Sequence, residues 1–205
     1  FRVTVENPLH IEFMGTDVFT CGPWCQGPAL LQILKLLENF DLIQMRHNSP
    51  SYIHTLTEAI KLAFADRHFF YGDPQFVDVP IDALISTQYN EAREKLIRPT
   101  KAWPGLPPAG DPFNYKAYGQ NLDDLGNEPA SGLMNLDTSY VCVTDSAGNI
   151  FSCTPSDVSN ESPVIPGTGL CPSSRGSSSW ADPYHPSSVQ AGKRPRLTPN
   201  PALAI

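Results

Sequence analysis

Residues 138–154 read Thr-Ser-Tyr-Val-Cys-Val-Thr, then Asp-Ser-Ala-Gly-Asn, then Ile-Phe-Ser-Cys-Thr. The run 138–144 is rich in β-branched and aromatic side chains and predicts a strand. Asp, Gly and Asn in 145–149 suit a tight turn, because they tolerate backbone angles that other residues avoid. The run 150–154 predicts the returning strand. Two such runs joined by a Gly-Asn-bearing loop define a β-hairpin. Its strands are apolar at successive positions, so the sheet is expected to be covered on both faces.

Working upstream, residues 98–130 carry several prolines and glycines among acidic residues. This composition predicts a long irregular segment, read here as a flexible linker. Before it, the apolar spacing is helical. Leu30, Leu31, Leu34 and Leu37 recur at i, i+1, i+4 and i+7 after Pro28, which suits a first helical turn, and predict a helix to about Phe40. A second helix is predicted from Ser51 to the Gly72-Asp73-Pro74 break, with Leu56, Ile60, Ala63 and Phe64 as its buried stripe. Its charged residues Glu58, Lys61, Asp66 and Arg67 are expected on a solvated face. A short third helix is predicted from Thr87 to Leu96. Earlier still, Phe1–Val5, Ile11–Met14 and Asp17–Thr20 have strand character. Downstream of the hairpin, 156–196 is loop-like, with short strands expected at Val164-Ile165 and Gly169–Cys171.

The chain has 205 residues, a formal net charge of −7 and 40% hydrophobic residues. That supports one substantial core, or one shared with a partner. The acidic balance argues against nucleic acid and anionic membranes as partners. The short basic run Lys193-Arg194-Pro195-Arg196 reads as a solvated loop or as local ion pairs. No apolar run reaches the roughly 18 residues of a membrane-spanning helix. The extended character at both ends, Phe1–Val5 and Ala202–Ile205, is expected of an excerpt from a longer chain. No signal-peptide pattern is visible, and the compartment stays open between cytoplasmic and periplasmic or extracellular. The cysteines at 21, 25, 142, 153 and 171 are odd in number and predict neither a disulfide framework nor a metal site. His47, His54 and His68 read as surface or packing residues. No phosphate loop, zinc-protease motif or serine-hydrolase elbow is present.

Four blocks, in order, resemble the γ-glutamyltranspeptidase family. Ala29-Leu30-Leu31-Gln32 with Leu36-Leu37-Glu38 is similar to that family's "ALLQ-LLE" helix. Glu58-Ala59, Ala63-Phe64-Ala65-Asp66-Arg67 and Gly72-Asp73-Pro74 are similar to its "EA…AYADR…GDP" helix. Leu136 to Asn149 resembles the segment where the family's precursor cuts itself, and Lys193-Arg194-Pro195 resembles its "KRP". The resemblance implies an α+β fold, the N-terminal-nucleophile (αββα) sandwich, partly represented here. It implies that residues 1–137 are the C-terminal part of a large-subunit segment and 138–205 the start of a small-subunit segment. The processing junction would be Asp137–Thr138, with the rest of the precursor as heterodimer partner.

The implied chemistry is that of a self-processing threonine amidohydrolase or acyltransferase, with no cofactor and no metal. Thr138 would be the nucleophile, and Ser156, eighteen residues later, would hydrogen-bond it. The substrate would be a small-molecule amide, with water or an amine as acceptor, as in glutathione metabolism. The substrate-binding pattern departs from the family. Ser177 stands where an acidic residue would bind a γ-glutamyl α-amine, with Arg175, Ser173 and Ser174 beside it. Arg196-Leu197-Thr198-Pro199 replaces paired serines, leaving Thr198. An arginine favours an anionic acyl group. An oxamate-type or cephalosporin-acylase-like amidase is therefore an alternative to a γ-glutamyl enzyme. Two rivals are a non-catalytic scaffold homologue and a cysteine hydrolase built on Cys21 or Cys25. The family's oxyanion-hole glycines and large-subunit arginine would lie outside residues 1–205.

Overall fold

A computed structural model describes residues 5–118, 138–156 and 162–205. Strands β1 (Leu9–Phe13) and β2 (Thr16–Thr20) form a hairpin. Met14 and Gly15 turn it with φ of 51° and 77°, a left-handed pair that a glycine at the second position makes tolerable. The C-terminal strand β5 (Ala202–Ala204) pairs antiparallel with β2, giving the sheet order β1-β2-β5. Among the described residues five α-helices follow β2: α1 (Gly27–Leu37), α2 (Leu42–Met45), α3 (Pro50–Phe70), α4 (Ile81–Leu84) and α5 (Thr87–Glu94). The second sheet is the hairpin β3 (Val141–Thr144) and β4 (Ile150–Cys153). The fold is thus mixed, with helices and antiparallel strands in separate runs.

Local chemistry sets the helix boundaries. Ser49 accepts a hydrogen bond from the Tyr52 amide and Pro50 follows it, so α3 starts one residue before the sequence predicts. Ser86 caps α5 in the same way through the Tyr89 amide. Helix α1 packs its Leu31 side onto Ile11 and Val18 of the first sheet. Its Leu36 and Leu37 meet Ala59, Leu62 and Ala63 of α3, with Leu96, Ile97 and Trp103 closing the cluster. Each such fully buried leucine contributes roughly 1.5–3 kcal/mol.

The buried face of α3 is rotated from the predicted stripe. Ile60 is exposed, whereas Glu58, Asp66 and Arg67 are buried. The reason is that these charges have internal partners. The Asp66 carboxylate accepts from Gln32 Nε2 (2.6 Å), Tyr89 Oη (2.9 Å), Arg93 (3.0 Å) and the Gly110 amide (3.0 Å). Glu58 accepts from the Trp103 amide (3.0 Å) and pairs with Lys61, whose ammonium also reaches the Trp103 carbonyl (2.6 Å). A buried charge is tolerated when paired and hydrogen-bonded. No periodicity rule shows those partners.

The same contacts correct the reading of 98–118. Among these residues there is no helix or strand, yet the segment is anchored. Trp103 is buried, the Pro108 carbonyl accepts from Arg93, and Asp111 and Lys116 exchange backbone hydrogen bonds. A Cβ at Gly110 would stand 2.3 Å from Tyr89 Oη, so the chain passes where only glycine fits. The remainder of the expected linker, from residue 119, lies outside the described residues.

Two further expectations are not met by the described residues. Val164-Ile165 and Gly169–Cys171 do not form strands; they flank a turn closed by the Ile165 amide on the Leu170 carbonyl (2.8 Å). The hairpin β3–β4 is not covered on both faces by the described residues. Val143 and Phe151 remain 56% and 59% exposed, because the helices spend their apolar faces on β1–β2 and on one another.

Asp66→Ala should strip Arg93 of its carboxylate and destabilise the protein by about 3–5 kcal/mol. Glu91→Ala, on the exposed side of α5, should stay within about 0.5 kcal/mol. Urea unfolding of both variants measures this, and equal midpoints would contradict the assigned role of Asp66.

Candidate active site

Thr138 and Ser156 are brought together by the hairpin register. Val141 pairs with Cys153 and Thr144 with Ile150. Continued outward, that register sets Thr138 opposite Ser156, and the Ser139 amide donates to the Pro155 carbonyl (3.1 Å). The two hydroxyls meet at 2.6 Å. The turn that sets the register is built from its own residues. Asp145 accepts from the Ala147 and Asn149 amides (2.9 Å each) and from Asn149 Nδ2 (2.8 Å), and Gly148 takes φ of 82°. The Asn149 side chain and these amides hold the Asp145 carboxyl below the usual range.

Arg175 enters from a 3₁₀ turn, Ser174–Ser178, capped by Ser173 through the Arg175 amide (3.3 Å). Its guanidinium donates to the Ser156 carbonyl through Nε (3.2 Å), to Thr198 Oγ1 (2.9 Å) and to Ser156 Oγ. A chain of polar contacts therefore runs Thr198, Arg175, Ser156, Thr138. These are the four predicted site residues that the fold brings together. Ser173 serves as a cap, and Ser174 and Ser177 lie exposed on the same turn. Asp137 lies outside the described residues.

The arm that carries Thr198 is held by the basic run. Arg194 donates to Asp73 with its amide (2.9 Å) and guanidinium (3.2 Å), and pairs with Glu6. Burial would raise the Asp73 pKa, but these Arg194 contacts outweigh it and lower it. Arg196 is buried and donates to the Arg67 and His68 carbonyls at the end of α3. The guanidinium there adds to the Tyr71 amide on the Arg67 carbonyl and also reaches the His68 carbonyl in the last helical turn. Burial, and then the neighbouring Arg67, bring the Arg196 pKa down to about 10. Leu197 donates its amide to the Trp24 carbonyl (2.8 Å) and accepts from Arg67 (3.1 Å). The run thus makes local ion pairs and a helix cap, with Arg196 buried rather than solvated.

Sequence reasoning missed Tyr140. Its hydroxyl contacts Ser152 Oγ (3.0 Å) and donates to the Ala202 carbonyl (3.1 Å), tying the strand that begins beside Thr138 to β5. The register sets Ser152 opposite Cys142, so Tyr140 reaches it diagonally across the hairpin, and contact with residue 202 has no signal in sequence. Cys21, the thiol considered as a rival nucleophile, has Cys25 and Thr20 as side-chain partners and no histidine among them.

A hydroxyl pair at the mouth of a hairpin, backed by a guanidinium, is an arrangement suited to hydroxyl-based acyl transfer. Comparison with known proteins gives the family. The Gamma-glutamyltranspeptidase family profile matches residues 1–205, and the chain belongs to this family. It is 29% identical over 206 residues to the glutathione hydrolase proenzyme of Bacillus subtilis (strain 168), covering 99% of this chain and 35% of that protein. The solved structure of LmbA2991HD is 34% identical with a TM-score of 0.76, covering 98% of this chain and 34% of the other. The cephalosporin acylase from Bacillus halodurans is 25% identical with a TM-score of 0.71, covering 97% and 32%. The chain spans about a third of the length of these relatives.

Ser156→Ala should leave Thr138 Oγ1 without its hydroxyl partner. A hydrogen bond to a group bearing developing charge is worth about 1.5–3 kcal/mol, so turnover should fall roughly tenfold or more. Steady-state rates with an unchanged circular dichroism spectrum check this. Unchanged turnover would remove Ser156 from the site.

Proposed function

We propose that the full protein is a self-processing N-terminal-nucleophile amidohydrolase or acyltransferase acting through an acyl-enzyme on Thr138. The observation that carries this reading is the 2.6 Å contact between Thr138 Oγ1 and Ser156 Oγ, with Arg175 donating to Ser156. The processing junction is Asp137–Thr138, dividing a large-subunit segment from a small one. The two-layer αββα arrangement is part of the proposal, with the exposed hairpin β3–β4 as one strand pair of a larger sheet.

A threonine hydroxyl is a weak nucleophile and needs a base. In processing, Thr138 Oγ1 attacks the Asp137 carbonyl, its proton leaves to a base, and the peptide bond gives way to an ester. That shift frees the Thr138 α-amine as its nitrogen takes a proton, and water then hydrolyses the ester, releasing the Asp137 carboxyl and restoring the Thr138 hydroxyl. An α-amine has a pKa of about 7.7–8.0, so it can accept a proton near neutral pH. Nucleophile and base then sit on one residue. The hydroxyl attacks the substrate amide carbonyl, its proton passes to the amine, and the leaving amine takes a proton as the C–N bond breaks. Water or an acceptor amine then releases the acyl group. Ser156, held by Arg175, orients the Thr138 hydroxyl; strand placement favours this, because a rigid element preserves attack geometry.

A second reading concerns the acyl group. Arg175 places a cation among Ser156 and Thr198, and Ser177 stands on the same turn where a γ-glutamyl enzyme would carry an acid. The similarity to a cephalosporin acylase supports the same direction. An oxamate-type or dicarboxylic acyl amide is therefore preferred over a γ-glutamyl amide.

Purified full-length protein should split so that N-terminal sequencing of the small subunit begins Thr-Ser-Tyr-Val. Thr138→Ala should abolish both splitting and turnover; turnover retained in that variant would sink the proposal. In the processed enzyme, kcat/KM should decline as pH falls below about 7.7–8.0, where the amine holds its proton. A panel of γ-glutamyl anilides, glutaryl amides and oxamate tests the second reading. Anionic acyl groups should be favoured, and Arg175→Ala should raise KM for them roughly tenfold or more, as loss of a charge-assisted hydrogen bond implies. Preferred γ-glutamyl turnover would overturn it.

A further inference from the structure

Away from the hydroxyl site, the loop between β2 and α1 presents two thiols to one another. Cys21 Sγ and Cys25 Sγ stand 2.7 Å apart, against about 2.05 Å for a disulfide bond. The two side chains sit in unlike surroundings. Cys25 is fully buried, with its sulfur 3.1 Å from the Gly22 carbonyl. Cys21 is half-buried and lines an open pocket of about 700 Å³ together with Phe19, Trp24, Phe151 and Arg194. The loop has little freedom to part them. A Cβ at Gly27 would lie 2.1 Å from the Cys21 carbonyl, so the backbone of Cys21 is pressed onto the first residue of α1. The Trp24 carbonyl and Gln26 amide are engaged by Leu197 and Pro199.

We propose that Cys21 and Cys25 form a redox-active dithiol that exchanges with low-molecular-weight disulfides. The Cys21 thiolate attacks one sulfur of the small disulfide and expels its other half as a thiolate. The Cys25 thiol, losing its proton, then attacks Cys21 Sγ and expels the second half. Two protein thiols are oxidised, the small disulfide is reduced to two small thiols, and the protein gains one S–S bond. The roles are unequal. Cys21 faces the pocket, and its contacts with Cys25, with the Thr20 hydroxyl and with the backbone of Cys21 and Gly27 outweigh burial and favour its thiolate over an ordinary thiol. Cys25 is held protonated by the same contact and by burial, as suits a resolving thiol that reacts only once its neighbour is modified.

The test uses the reduced full-length protein, incubated with hydroxyethyl disulfide, alkylated, digested and mapped by mass spectrometry. The peptide spanning residues 21 and 25 should resist alkylation and be lighter by two hydrogens, and dithiothreitol should reverse this. Cys25→Ser should retain a mixed disulfide on Cys21, and Cys21→Ser should retain none on Cys25. Before oxidation, alkylation at Cys21 should outpace that at Cys25 by tenfold or more at neutral pH. The proposal is overturned if both thiols of the unmutated protein stay alkylatable after the disulfide treatment. It is equally overturned if either is found joined to Cys142, Cys153 or Cys171. The unmutated protein alone decides these outcomes, so a variant that fails to fold does not obscure them. Neither outcome depends on the identity of the amide substrate.

Discussion

The buried carboxylate of Asp66 is the constraint on which the helical half depends. It is an anion with no access to water, and four donors from α1, α5 and the 110 segment converge on it. Removing water from a charge costs several kcal/mol, and only a complete set of donors offsets that. Gln32, Tyr89, Arg93 and the Gly110 amide therefore have little choice of position. Because α1 is also the helix that packs on β1–β2, the hub sets how the first sheet meets the helices.

A second ionic contact carries that order toward the Thr138–Ser156 pair. Asp73, just past α3, receives both the amide and the guanidinium of Arg194, and Arg196 caps the end of α3. The C-terminal arm is thereby drawn across the helical body. It delivers Thr198 to Arg175 and β5 to the edge of β2. The family-like Gly-Asp-Pro and Lys-Arg-Pro blocks are two halves of one clasp. Their role in this chain is architectural, one step removed from the hydroxyl pair.

How much of this is legible from the residues alone depends on range. Elements governed by neighbours in sequence were visible: the β3–β4 hairpin, α1 after Pro28, α3 and α5. The face that α3 buries was misread, since Glu58, Asp66 and Arg67 look solvated until Trp103, Arg93 and Leu197 are seen beside them. The 98–118 segment is irregular, as its composition implies, and its anchoring by Trp103 and Arg93 is a tertiary feature. Its prolines and glycines describe a chain without regular structure, but not whether that chain is anchored.

The sequence by itself determined the β3–β4 hairpin, and the family resemblance pointed to Ser156 as the partner of Thr138. A self-contained turn at Asp145–Asn149 sets the register, and antiparallel register carries two residues eighteen apart to facing positions. That is local chemistry propagated along a ladder. Only the tertiary structure decided that Arg175 grips Ser156 and Thr198, and that Cys21 and Cys25 touch in a loop pinned by residues 197 and 199. The arginine contacts join parts of the chain that no ladder connects. The thiols depend on the precise bend of an irregular loop. Both are set by what else had to be buried and paired, and no spacing in the sequence encodes that.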